Sequence, residues 1–92
     1  MRKSYHIKYK GIVQGVGFRY TARNVAKSLK LDGWVKNMPD GSVEVMIEGE
    51  DKDITEFNQR LQDKMQGYIR NTQINEVPSS GTMKGFEIKV GY

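Results

Sequence analysis

Three glycines, Gly11, Gly15 and Gly17, fall within seven positions, and the hydrophobic period changes across them. Before them, Tyr5, Ile7 and Tyr9 alternate with His6, Lys8 and Lys10, the period-two pattern of a strand with one buried face. After them, Ala22, Val25, Ala26 and Leu29 follow the i, i+3, i+4, i+7 spacing of one apolar helical stripe. The segment is therefore a strand, a glycine-rich turn and a helix N-terminus. Such a turn curls its backbone N–H groups toward one point, and the following helix adds orphan donors and partial positive charge. That is anion-binding architecture. Arg19 closes the segment with a planar, fixed-charge fork suited to phosphoryl or carboxylate oxygens.

Elsewhere the same two periods alternate. Strand one is expected over residues 4–13 and helix one over residues 18–30, ended by Leu31-Asp32-Gly33. Trp34-Val35-Lys36-Asn37 is a second strand by its aromatic and β-branched content, and Met38-Pro39-Asp40-Gly41 is a turn, because Pro presets φ and Gly accepts positive φ. Val43, Val45 and Ile47 alternate with Glu44, Met46 and Glu48 in a third strand, which pairs with the second as an antiparallel hairpin with one dry face. Asp51 or Asp53 caps a second helix reaching Gln66, with Ile54, Phe57, Leu61 and Met65 as its stripe and Gly67 as its stop. Residues 69–77 are polar enough for an edge strand, 78–81 are loop by composition, and Phe86, Ile88 and Val90 alternate in a last strand.

This order, β-α-β-β-α-β with a short extra strand, is the α+β ferredoxin-like arrangement: one mostly antiparallel sheet with two helices on one face. A chain of 92 residues allows one domain, taken as 1–92, and buries roughly 60 to 65 per cent of its unfolded surface. Strands one and two both run toward the same sheet edge, so the Gly15–Arg19 loop and Asn37 meet there with strand three between them. Two strand spacings separate them by about 10 Å.

The chemistry these residues can carry is narrow. Cysteine is absent, which removes disulfides and thiolate chemistry, and a single His6 builds no histidine-rich metal centre. No metal and no cofactor is expected. No signal peptide or long apolar run is present, so a cytoplasmic chain without membrane attachment is expected. Fifteen Lys and Arg against eleven Asp and Glu favour anionic ligands, with small phosphates, RNA and incidental surface charge all open. One arginine, a cluster of amides and one asparagine contain no nucleophile and no strong base. A phosphate monoester needs an acid, a metal or a covalent intermediate to release its alkoxide. A mixed carboxylic-phosphoric anhydride does not, because its carboxylate leaves unprotonated at neutral pH. Charge stabilisation and positioning then suffice. Arg19 and the amides would hold the phosphoryl group, and Asn37 would orient the attacking water.

Gly11-Ile12-Val13-Gln14-Gly15-Val16-Gly17-Phe18-Arg19 resembles the first signature of the acylphosphatase family, and Gly33-Trp34-Val35-Lys36-Asn37-Met38-Pro39-Asp40-Gly41-Ser42-Val43, with Gly49 after it, resembles the second. The resemblance covers nearly the whole chain. It implies a ferredoxin-like fold and metal-free hydrolysis of small-molecule acyl phosphates, with Arg19 as phosphate-binding arginine, Asn37 as water-orienting asparagine and Gln14, Gly15, Val16, Gly17 and Phe18 as the phosphate loop. Ile12 and Gly17 depart from residues common in the family, and Gly17 makes the loop looser. The same family fold occurs in larger hydrogenase-maturation proteins, linked there to carbamoyl phosphate. A monomer is the expectation for this size.

Read without the resemblance, the loop is a tight turn, Arg19 a surface ion pair and Asn37 an Asx-type cap. His6 reads as an exposed strand residue, Tyr5, Tyr9 and Trp34 as core or sheet-face packing, and Lys8 with Lys10 as a solvated face. An RNA-recognition module shares the element order, but its third strand carries aromatics on which bases stack. Here residues 42–48 hold none and include two acids, which counts against nucleic acid as a partner. A non-catalytic anion-binding domain of the same fold is the third reading.

Overall fold

The computed structural model describes residues 1–90, in the order β1 (Arg2–Gly11), α1 (Phe18–Ser28), β2 (Asp32–Asn37), β3 (Val43–Glu50), α2 (Asp51–Lys64), β4 (Ile69–Val77) and β5 (Phe86–Lys89). The five strands form one sheet ordered β4-β1-β3-β2-β5. Every neighbouring pair is antiparallel except β2 and β5. This is the ferredoxin-like fold, with β3 between the two strands whose ends were expected to converge.

The register explains where the core lies. Val35 pairs with Val45, Val45 with Ile7, and Ile7 with Ile74, so one row of branched side chains crosses four strands on one face. Period-two alternation repeats that face at Tyr9, Val43 and Ile47, all fully buried. Phe18, Ala22, Val25 and Ala26 of α1 and Ile54, Phe57 and Leu61 of α2 cover it. The opposite face carries Trp34, Met46 and His6 in one paired row and Lys36, Glu44 and Lys8 in the next.

Several elements end where the sequence reading did not place them. α1 stops at Ser28 through Lys30, which takes φ 56°. The Leu31 N–H donates to the Ala26 carbonyl at 2.9 Å and the Lys30 N–H to Lys27 at 3.0 Å, the paired bonds of a Schellman turn, and Leu31 is buried. Gly33 is not the helix stop. It lies inside β2 at φ 141°, where a Cβ would strike the Met46 carbonyl of β3. β1 begins earlier and ends at Gly11, where its pairing with β4 slips and a Cβ would strike the Tyr68 carbonyl. α2 starts after Glu50, with no side-chain cap, and Asp51 accepts from the Tyr5 hydroxyl at 2.9 Å instead. His6 is half-buried against Glu44, and Lys8 pairs with Asp40 at 2.9 Å, so neither is a freely solvated residue.

Glu48 also departs from its alternating pattern. It belongs to the open face, yet it is buried, because the connection from β4 to β5 folds over that end of the sheet. The Ser4 hydroxyl donates to it at 2.6 Å, the Ser80 N–H at 3.2 Å and Arg2 at 3.3 Å. The bond from Ser4 above all, with the loop amides and Arg2 behind it, holds the Glu48 carboxyl down at about 2.

Candidate active site

The loop after β1 owes its shape to backbone rather than crowding. Gly15 and Gly17 take φ 77° and 79°, the left-handed region, and a Cβ at either would meet nothing within 4 Å. Their need for glycine is conformational, and the space they border stays open. Gly17 is also the N-cap of α1, without a side-chain cap and with no acid in the first turn. The first intrahelical bond is Thr21 N–H to the Gly17 carbonyl at 3.1 Å. The N–H groups of Phe18, Arg19 and Tyr20 precede it and are the orphan donors of the helix start. No acidic residue stands in the first turn to compete for the positive helix end.

A hollow of about 120 Å³ opens at this point, lined by Val13, Gly15, Gly17, Phe18, Arg19, Tyr20 and Asn37. The structure thus brings Arg19 and Asn37, from α1 and β2, into one cavity. Arg19 is half-buried and has neither ion pair nor hydrogen bond among the described residues. The Asn37 Oδ1 is buried without a hydrogen-bond partner, the one such side-chain atom among the described residues. A buried acceptor left open costs about 1–3 kcal/mol, and the residue that carries it lines the hollow.

The remaining loop residues divide. Phe18 lines the hollow, but its ring is buried 5.2 Å from that of Tyr9, which leaves its backbone N–H as what it can offer a ligand. Val16 is packed against the core and does not line the hollow. Gln14 does not line it either. Its Nε2 amide donates to the Met38 carbonyl at 2.8 Å and the Ser42 carbonyl at 2.9 Å, tying the loop to the β2–β3 turn that begins after Asn37. Asp40 stiffens the same turn. It accepts from the Ser42 hydroxyl and backbone N–H and from Lys8, and these partners, Ser42 first, hold its carboxyl well below the usual range. Sequence reasoning missed this brace and missed Val13 and Tyr20 in the lining; the helical periodicity that put Arg19 in the first turn also carries Tyr20 there.

No group of three or more His, Cys, Asp or Glu side chains among the described residues is placed to hold a metal ion. No helix among them is long and apolar enough to cross a membrane.

The fold is a small α+β domain whose hollow sets the glycine loop and Arg19 beside the Asn37 side-chain amide. Known proteins share the fold and much of the sequence. The acylphosphatase family model matches residues 5–88. An acylphosphatase of Thermotoga petrophila is 41% identical over 88 residues, covering 95% of this chain and 97% of that one. The crystal structure of an acylphosphatase from Bacillus subtilis superposes with a TM-score of 0.88 at 34% identity, covering 97% of this chain and 99% of that one. Full-length HypF, solved with phosphate and nucleotide bound, matches with a TM-score of 0.85 at 33% identity over 97% of this chain and 12% of its own. The chain belongs to the acylphosphatase family.

Proposed function

We propose that this acylphosphatase hydrolyses the carboxyl–phosphate anhydride of small acyl phosphates, with Arg19 and Asn37 as its catalytic residues. The observation that carries this reading is that Arg19, unpaired among the described residues, and Asn37, whose Oδ1 has no partner among them, line one hollow. The N–H groups at the start of α1, with the loop amides from Gln14 to Phe18, bind the equatorial phosphoryl oxygens, and Arg19 neutralises their charge. The Asn37 Oδ1 accepts a hydrogen bond from a water and aims its lone pair at phosphorus. The P–O bond to the acyl group breaks as the water–phosphorus bond forms. The electron pair leaves with the carboxylate, and the water's protons pass to phosphate and solvent. The leaving group needs no proton and no Lewis acid, which supports a metal-free reaction with no cofactor. Gly15 and Gly17 shape the cradle, while Gln14 holds it against the turn.

RNA is a poor partner for this surface, because His6 and Lys8 of the open sheet face are matched by Glu44 and Asp40. A monomer in the cytoplasm, acting on a small anion, fits this picture. Hydrolysis of benzoyl phosphate with a chelator present tests the reading, and turnover that disappears on chelation removes the metal-free step. Arg19→Ala abolishes both inorganic phosphate binding and turnover, whereas Asn37→Ala loses mainly turnover, by about a hundredfold, the scale of a misplaced reacting group. Equal loss of phosphate affinity in the two variants contradicts the division of roles.

A further inference from the structure

The cradle accounts for the phosphoryl end of a substrate and leaves the acyl end without a partner. Tyr20 lines the same hollow as Arg19 and Asn37, yet it is 62% exposed. Its ring lies outside the core, and its hydroxyl has no hydrogen-bond partner among the described residues. The fold gives no reason for an aromatic at this position.

Its placement on α1 does. Helical Cα–Cβ bonds tilt toward the N-terminus, so a first-turn side chain leans back over the preceding loop. Arg23, one turn later, leans the same way, and its guanidinium carbon stands 4.9 Å from the Tyr20 ring centroid. The cation restrains the ring by attraction to its π-face. At 62% exposure, much of the ring's surface remains open. In-line attack from a water at Asn37 sends the acyl group out on the far side of phosphorus. Phe18 and Tyr20 are the aromatics of the lining, and Tyr20 is the one that solvent reaches.

We propose that Tyr20, braced by Arg23, is the specificity residue for the acyl group and selects acyl phosphates with a flat aromatic acyl moiety over small aliphatic ones. This rests on the acyl phosphate hydrolysis assigned above to Arg19 and Asn37. An offset ring stack on Tyr20 strengthens both substrate and transition state for an aromatic acyl group, and a methyl group cannot reproduce it.

Two substrate pairs test the assignment in wild type, Tyr20→Phe and Tyr20→Ala. One is kcat/KM for benzoyl phosphate against acetyl phosphate, and the other is calorimetric affinity for phenylphosphonate against methylphosphonate, which are not hydrolysed. Tyr20→Ala lowers the aromatic-to-aliphatic ratio about tenfold in both pairs, and Tyr20→Phe retains it. A merely structural residue would lower both members of each pair together, so unchanged ratios in Tyr20→Ala overturn the proposal. Equal binding of the two phosphonates by the wild type also overturns it. Wild type that hydrolyses neither acyl phosphate but prefers phenylphosphonate through Tyr20 defeats the hydrolytic reading and leaves the aromatic platform standing; binding of neither phosphonate defeats both.

Discussion

Gln14→Ala separates a residue that binds substrate from one that holds the site together. The side chain makes bonds of 2.8 and 2.9 Å to the Met38 and Ser42 carbonyls. Neither acceptor is orphaned when it goes, because Met38 O still accepts from the Gly41 N–H at 3.1 Å and Ser42 O from the Met38 N–H at 2.9 Å. The cost is then the net worth of the lost bonds without a desolvation penalty, about 1–2 kcal/mol. For a domain of this size that lowers Tm by about 5–10 °C. Kinetically, freeing the turn lets Asn37, the residue before Met38, drift relative to Arg19. Misplacement of a positioning group by about 1 Å costs up to about a hundredfold, so kcat falls by about ten- to a hundredfold. The loop amides remain, so the Kd for inorganic phosphate stays within about threefold on the same positioning argument. Thermal melts, phosphate calorimetry and steady-state assays on one preparation decide the matter. A tenfold loss of phosphate affinity refutes the reasoning and makes the Gln14 side chain a ligand. Unchanged Tm and kcat refute it in the other direction.

The glycines give a paired test. Gly33→Ala forces a Cβ into the Met46 carbonyl at φ 141° and costs about 3 kcal/mol or more in urea unfolding, whereas Gly17→Ala meets no atom within 4 Å and costs about 1–2 kcal/mol for its left-handed φ. Similar values for the two would mean that β2 and β3 separate freely at Gly33. Glu48 links stability to acid. Its carboxyl is depressed from 4.5 to about 2 on folding, so its contribution is complete above about pH 4.5 and is lost as pH falls toward 2. Glu48→Gln flattens the acid limb of Tm against pH in that window, and an unchanged limb assigns acid sensitivity to other groups.

What was legible in the sequence follows from what a one-dimensional pattern can record. Alternation and helical spacing, at Tyr5-Ile7-Tyr9 and at Ala22-Val25-Ala26, are local consequences of which face is buried, and they fixed element order and sheet direction. Chain direction alone then put Arg19 and Asn37 at one edge, and the hollow contains both. The helix end was misread because glycine is the usual left-handed residue. Here burial of Leu31 and the bonds to Ala26 and Lys27 outweigh the roughly 1–2 kcal/mol strain of a left-handed Lys30. Glu48 could not be read as buried, since its cover comes from Ser80 and Gly81, more than thirty residues away.

Gln14 shows where local pattern and long-range contact part. Its position inside the glycine loop makes it a phosphate-loop residue by sequence, and its partners lie 24 and 28 residues further on. β3 separates β1 from β2 in the sheet, so no ladder bond joins the strand that precedes the cradle to the strand that ends at Asn37. β3 pairs with both strands and links them indirectly, and the Gln14 side chain adds a direct connection from the loop to the β2–β3 turn at that edge. An alanine or serine at this position would remove the direct connection and leave only the coupling through β3. On the proposed mechanism, positioning of water against phosphorus then draws on a bond that is neither in the sheet nor to the substrate, which is why the effect of Gln14 is expected in kcat.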